Sequence, residues 1–385
     1  MSETEPGVLA RVRLGHEERV VALLRERGAL SRAELGALSG LSRSTLSDIA
    51  GALVARGAVV VTTPESAGRK RPPGRPAELL TLNPDTGQAI GLDFGHRRVH
   101  VAVANAAQEV IGTAALGYAR TTSWQRRLEI ACGLVDSLRT GLGPLHGIGV
   151  GVTGPLGRTA EQTRRVTALT DALGERFGVP VAVDNNTRLA ALAEMVRGAG
   201  KGFSDVVYAR LSEGVGGGIV VSGRLLRGAG GGAGEIGHIP VDPAGAPCSC
   251  GGRGCLETVA SVPAVVSAAG AADLPGALEA LEAGEASAVA AFDRAGRALG
   301  FALASVCNTV SPARIVVGGE VAVPRVLAAA EAALAVHLPP AQRLPAHPAA
   351  LGDEVGALGA LALVAHDSPL LIGYPGGTGR GEDES

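Results

Sequence analysis

The chain has 385 residues and a formal net charge of −2, from 35 Lys and Arg against 37 Asp and Glu. That length predicts two or three domains at about 100–200 residues each, and the near-neutral balance excludes a surface built wholly for nucleic acid, so any basic face has to be local. The start, Met1-Ser2-Glu3-Thr4-Glu5-Pro6, lacks the apolar stretch of a signal peptide, and no apolar run approaches the about 18–20 residues of a membrane span, so a cytoplasmic protein with no membrane partner is expected.

Residues 1–82 read as a small helical domain with a wing. His16 to Arg27 carries Val20, Val21, Leu23 and Leu24 as an apolar stripe that ends at Gly28. Ser31-Arg32-Ala33-Glu34 is a capping box that opens a short second helix, broken by Gly40. Ser42 caps a third helix with Leu46, Ile49, Ala50 and Leu53 on one face, ended by Gly57. Ala58 to Thr63 is strand-like, Pro64 to Pro76 is Pro-rich, and Leu79 to Leu82 is a second strand. That order is a winged helix-turn-helix. Its third helix would present Arg43, Ser44, Thr45 and Ser47 to base edges and phosphates in a major groove. The wing tip gathers Arg69, Lys70, Arg71 and Arg75 in an extended Arg-Pro segment suited to a narrow minor groove. The competing reading is a three-helix bundle followed by a solvated basic linker.

Three of the 5 cysteines lie close together at Cys248, Cys250 and Cys255, and His238 stands ten positions before the first of them. Thiolates and imidazole are the ligands of tetrahedral Zn²⁺, and a closed four-ligand set is structural. Gly251, Gly252 and Gly254 let the backbone turn tightly around an ion. A disulfide with a spare thiol is the competing reading, disfavoured in a chain with no sign of secretion. The ion would pin a loop that carries Glu235 and Glu257, two carboxylates able to accept hydrogen bonds from a polyhydroxyl ligand.

The run E-x-G-H followed by C-x-C-G-x-x-G-C-x-E resembles the signature of the ROK family, which groups sugar-responsive repressors with sugar kinases. The resemblance implies an α/β chain: an N-terminal winged helix-turn-helix, then a two-lobed actin-like ATPase (ribonuclease H-like) body over residues 83–372. Residues 373–385 are Gly-rich and acidic and read as a disordered tail. It further implies that His238 both ligates zinc and touches sugar, and that Glu235, Glu257, Asn185 and Asn186 bind the sugar. Repressors of the family carry the winged domain; its kinases begin directly at the body.

Three parts of the kinase pattern depart from the family. Ala89 to Gly95 is a strand entering a turn, followed by a strand from Arg98 to Ala104, and Asp93-Phe94-Gly95-His96-Arg97 stands where the kinases have D-x-G-G-T. Close approach of backbone to phosphate is what the missing glycine would serve. Ser212-Glu213-Gly214-Val215-Gly216-Gly217-Gly218 resembles the second phosphate loop, G-T-G-x-G-G-G, with Glu213 in place of a phosphate-binding threonine. Pro180 to Val183 is a strand that ends in Asp184-Asn185-Asn186, and Asn186 falls where the kinases place their general base. A carboxamide has no usable basicity near neutral pH, yet it still hydrogen-bonds a hydroxyl. Asp184 is the alternative base, two residues back on the same side of the strand. Further elements are a strand over Gly147 to Pro155, helices over Leu128 to Leu138 and Thr187 to Arg197, strands over Val206 to Leu211 and Ile219 to Val221, a long helix from Ala286 to Asn308 with a buried Cys307, a strand and turn over Arg314 to Gly319, and a last helix from Leu351 to Ala365.

The expected protein is therefore a sugar-responsive DNA-binding regulator, a repressor, with structural Zn²⁺ and no enzymatic activity. ATP binding is not expected. Its partners would be palindromic operator DNA, a sugar or sugar derivative, and further copies of itself as a homodimer or homotetramer. The alternative is a dual-function, glucokinase-like ATP-dependent sugar kinase with a fused DNA-binding domain.

Overall fold

The computed structural model describes residues 8–63, 78–138, 144–154, 156 and 159–367. The N-terminal unit runs α1 (Val8–Arg27), β1 (Leu30–Ser31), α2 (Arg32–Ser39), α3 (Arg43–Ala55), β2 (Val59–Thr62) and β3 (Leu79–Leu82). The capping box forms as expected: Ser31 accepts from the Glu34 N–H, and the Glu34 carboxylate accepts from the Ser31 N–H. Ser42 caps α3 through the Thr45 N–H. Leu46, Ile49, Ala50 and Leu53 close onto Val20, Leu24 and Leu35 from α1 and α2, with Val59, Leu80 and Leu82 from the wing strands. This core is separate from those of the body. Two features go beyond the sequence reading. Helix α1 starts at Val8 and not at His16, in a stretch that holds no proline and a single glycine, Gly15. Leu30–Ser31 adds a third strand, in the order β1-β3-β2.

The body is two lobes of the same topology. The first comprises β4 (Gln88–Phe94), β5 (Arg98–Asn105), β6 (Val110–Gly117), α4 (Trp124–Leu138), β7 (Leu145–Val152), α5 (Ala160–Phe177), β8 (Val181–Asn185) and α6 (Asn186–Arg197). The second comprises β9 (Val206–Leu211), β10 (Val215–Val221), β11 (Arg224–Leu225), α7 (Glu257–Ala260), α8 (Val262–Ala269), α9 (Leu274–Glu282), α10 (Ala286–Val310), β12 (Arg314–Gly318), α11 (Pro324–His337), β13 (Ala346–Pro348) and α12 (Val355–Asp367). The first sheet has the order β6-β5-β4-β7-β8 and the second β11-β10-β9-β12-β13. In each, an antiparallel meander is extended by two parallel strands. Strands β6, β11 and β13 and helices α5, α8, α9 and α11 were not singled out in the sequence.

Helices α6 and α12 each follow the last strand of one lobe and pack into the other. A Cβ on Gly91 of β4 would lie 2.1 Å from the Ala357 carbonyl of α12, and one on Gly149 of β7 would lie 1.9 Å from the Ala360 carbonyl. A Cβ on Gly218 of β10 would lie 2.5 Å from the Ala191 Cβ of α6. The two helices meet at Gly359, where a Cβ would be 1.9 Å from the Leu189 carbonyl. Glycine is required at these positions by backbone approach, not by φ. One apolar cluster accordingly draws on β5, α6, β9, β10, β12 and α12 together. Helix α12 starts at Val355, later than the expected Leu351, whose N–H donates to the buried carboxylate of Glu194. Among the described residues no single helix is long and apolar enough to cross a membrane.

Candidate functional site

The cysteine segment folds back on itself through bridges between Pro240 and Cys255 and between Pro247 and Arg253. Gly254, at φ 60°, makes this turn: a Cβ there would lie 1.5 Å from the Asp242 carbonyl. The fold brings His238, Cys248, Cys250 and Cys255 together with all ligand atoms within 4.8 Å of one another. Cys250 Sγ and Cys255 Sγ are 3.7 Å apart, and Cys248 Sγ is 3.6 Å from His238 Nδ1. A tetrahedron with Zn–S bonds of about 2.3 Å has edges of about 3.8 Å, so the donor set fits a metal such as zinc.

His238 turns its second nitrogen the other way. A short 3₁₀ turn, Ile236–His238, stacks it beside Glu235, with Nε2 3.9 Å from Glu235 Oε2. Across this cleft Glu257 opens α7, and its Oε2 accepts the Val215 N–H at 3.0 Å. Ser249 Oγ donates to Glu257 Oε1 at 3.4 Å. Glu257 therefore ties the start of β10 to the metal segment, a structural duty the sequence did not reveal. A Cβ on Gly214 would lie 2.9 Å from the same carboxylate. Gly216 and Gly217 are likewise packing positions, their Cβ atoms blocked at 2.7 Å by Thr187 Oγ1 and at 2.4 Å by Ile236 Cδ1.

The β8–α6 junction supplies the third wall. Asn185 is the N-cap of α6: its Oδ1 accepts from the Thr187 and Arg188 N–H groups, and its Nδ2 donates to the Gly154 carbonyl. Asn186 is the first residue of α6, and it and Asp93 flank Gly151: a Cβ there would lie 3.2 Å from Asn186 Cβ and 3.3 Å from Asp93 Oδ1, an oxygen buried without a hydrogen-bond partner. Burial raises the Asp93 pKa above its ordinary value, partly offset by Arg210 and Asn186. A Cβ on Gly356 would lie 2.1 Å from Asp93 Oδ2, so the first turn of α12 covers this carboxyl. Asp184 is engaged on both oxygens: Arg188 Nε donates to Oδ1 and Arg227 Nε to Oδ2, each at 2.7 Å. Both oxygens of the alternative base, Asp184, are thus occupied by arginine N–H groups.

Both glycine loops differ from open phosphate cradles. In the β4–β5 turn the Gly95 N–H is bonded to the Arg98 carbonyl, and Tyr118 Oη donates to the Gly95 carbonyl at 2.7 Å. Tyr118 escaped the sequence reading because it lies a whole strand away, after β6. Glu213, which stands in place of the phosphate-binding threonine, pairs with Arg120 Nη1 at 3.1 Å. His96 has its pKa lowered by desolvation first and by Arg120 second, with Glu213 and Glu257 acting in the opposite sense. It stays neutral near pH 7, facing the glutamates.

In the winged domain, Arg43, Ser44 and Ser47 are exposed on α3. Thr45 is half-buried, and its Oγ1 shares a hydrogen bond with Ser42 Oγ at 2.8 Å. Arg69, Lys70, Arg71 and Arg75 lie outside the described residues.

A winged helix-turn-helix joined to a two-lobed, sugar-kinase-like body of the actin-like ATPase fold defines the class. Residues 89–367 match the family described as ROK family, and the chain belongs to it. A xylose repressor of Bacillus spizizenii is 26% identical over 310 residues, covering 76% of this chain and 78% of that protein. A glucokinase of Halalkalibacterium halodurans is 33% identical over 266 residues, or 60% of this chain and 80% of that one. The solved structure of a ROK family transcriptional regulator, a homologue of the E. coli MLC protein, superposes with a TM-score of 0.76 at 25% identity, covering 91% of this chain and 96% of its own. The match to that regulator covers more of the chain than the body alone, whereas the glucokinase match covers 60%.

Proposed function

We propose that this protein is a cytoplasmic, sugar-responsive repressor: the winged domain binds a palindromic operator as a dimer or tetramer, and the body binds a sugar without phosphorylating it. The observation that carries this reading is the β8–α6 junction. A carboxamide, Asn186, stands at the base position, while Asp184 is held by two arginines and Asp93 is covered by α12. Glu235, His238 and Glu257 converge on the same cleft, with zinc holding their loop through His238, Cys248, Cys250 and Cys255. Sugar would bridge groups of both lobes and favour one lobe angle, which shifts the spacing of the paired winged domains.

The test pairs two measurements on the purified full chain. Thermal shift with xylose, glucose and N-acetylglucosamine should reveal a stabilising sugar, and a coupled assay with that sugar, ATP and Mg²⁺ should show no sugar phosphate. Sugar-dependent turnover at rates typical of kinases would instead establish the dual-function reading, which the glucokinase relative favours.

A further inference from the structure

The far end of α6 is anchored separately. Glu194, fully buried, accepts from the Ala199, Ala350 and Leu351 N–H groups, fixing the helix to the loop before α12 in the second lobe. Three residues on, Arg197 ends the helix and donates from Nη2 to the Gln108 carbonyl. Gln108 lies in the turn joining β5 to β6, with φ 63° in the left-handed region that a non-glycine adopts at some cost. Its neighbour Ala107 packs against the core of the winged domain.

Among the described residues, two legs join the winged domain to the body, and that turn is one of them. The other is the linker: Asn83 Nδ2 donates to the Gly57 carbonyl of the winged domain, and the Thr86 carbonyl meets His146 Nε2 of the body at 2.8 Å. Between the legs lies a small cavity lined by Gln88, Asn105, Gln108, His146, Arg197 and Leu361. Gln88 Oε1 is buried there with no hydrogen-bond partner. Close-packed interiors transmit displacement and do not absorb it, whereas a void beside a strained turn lets that turn adopt a second position.

We propose that Arg197 is the positioning residue through which sugar occupancy reaches the winged domain. Helix α6 begins with Asn185 and Asn186 in the sugar cleft and ends, about 18 Å away at 1.5 Å per residue, with the guanidinium that holds the Ala107–Gln108 turn. A shift of α6 on lobe closure moves this turn, and with it one leg of the winged domain. The proposal rests on the sugar-responsive reading above.

The experiment uses the full chain and whichever of xylose, glucose and N-acetylglucosamine stabilises it most. Hydrogen exchange of the wild-type protein should show sugar altering protection at residues 105–110, far from the cleft. Binding to the DNA upstream of its own coding sequence should change with sugar by the about 5–150-fold usual for such coupling. Arg197→Met keeps the aliphatic length and removes the donor; it should hold sugar affinity within about threefold while that ratio falls toward 1, and Arg197→Lys should restore part of it. Full coupling in Arg197→Met, or unchanged exchange at 105–110 in a wild-type chain that binds sugar, overturns the proposal. If Arg197→Met does not fold, the wild-type exchange result decides alone. A wild-type chain that ignores all three sugars fails at the first step, which overturns the sugar-responsive reading and this proposal with it.

Discussion

The Asn186 side chain lies beside the carboxyl group of Asp93, whose Oδ1 is buried without a hydrogen-bond partner and whose pKa burial holds above its ordinary value of 3.8. Asn186→Asp would place a second carboxylate on the first in a site with little solvent. We expect the variant to lose about 1–3 kcal/mol of stability, as like charges or unpaired buried charges typically cost, and to gain far less turnover than the about 10²–10⁴-fold a general base supplies. Calorimetry and the coupled kinase assay check the two halves; a gain in that range would show that both glycine loops accept ATP after all. Asp93 itself sets a pH dependence. Its native pKa is raised, so the stability it confers is complete below the unfolded value and is lost as pH rises through the native one. Asp93→Asn does not titrate. Its Tm advantage over the parent should therefore be absent near pH 3.8 and below, and should open as pH rises toward neutrality. An advantage that is constant with pH would show that Asp93 is ionised in both states. Glu257→Gln separates the two duties of this residue: the amide keeps a carbonyl for the Val215 N–H, so a loss of sugar binding without a loss of stability would mark the charge as the sugar-binding element.

The metal segment is the element that sequence alone located best. Cys248, Cys250 and Cys255 are near neighbours in the chain, and the glycines between them fix the turn, so four ligands could be read from spacing. Cys250→Ser should bring the zinc content from one ion per chain to near none and lower Tm by at least about 4 °C, measured by elemental analysis and differential scanning calorimetry; full zinc in the variant would refute the ligand set. The capping boxes and apolar stripes of the winged domain were legible for the same reason, being interactions between residues three or four apart. What escaped was non-local. Tyr118 reaching Gly95, Arg120 reaching Glu213 and Arg197 reaching Gln108 each join residues a strand or more apart, and nothing in a local pattern marks either partner. The glycines of β4, β7 and β10 were visible, but as ligand loops; their part in seating α6 and α12 is visible only in three dimensions. For the wing, neutralising Arg69, Lys70, Arg71 and Arg75 together should flatten the salt dependence of operator binding by about 0.9 in log–log slope for each phosphate no longer neutralised. Arg43→Ala should instead reduce the preference for operator over random DNA. Filter binding across a salt series distinguishes these, and an unaltered slope in the quadruple variant removes the wing from the DNA.

At the scale of the whole molecule, the winged domain has its own core, while the two lobes share theirs through α6 and α12. Residues 1–82 alone should bind operator about 10²–10⁴-fold more weakly than the full chain, since pairing of two copies through the body brings a second winged domain to the other half-site; titration of both against one labelled operator tests this, and equal affinity would mean that the body does not pair the winged domains. The exchange of helices also dictates an order of events during synthesis. The sheet face formed by Gly91 and Gly149 is completed only by α12, near the end of the chain. At about 5–20 residues per second, the ribosome would leave that face open for roughly 15–50 s after β4 has emerged. The winged domain has no such wait. A nascent chain stalled before residue 350 should therefore resist protease over residues 8–63 and be cut readily in the first lobe. Such a fragment would carry a DNA-binding domain with no working sensor, so the cell has reason to destroy unfinished copies before they settle on an operator that no sugar can clear.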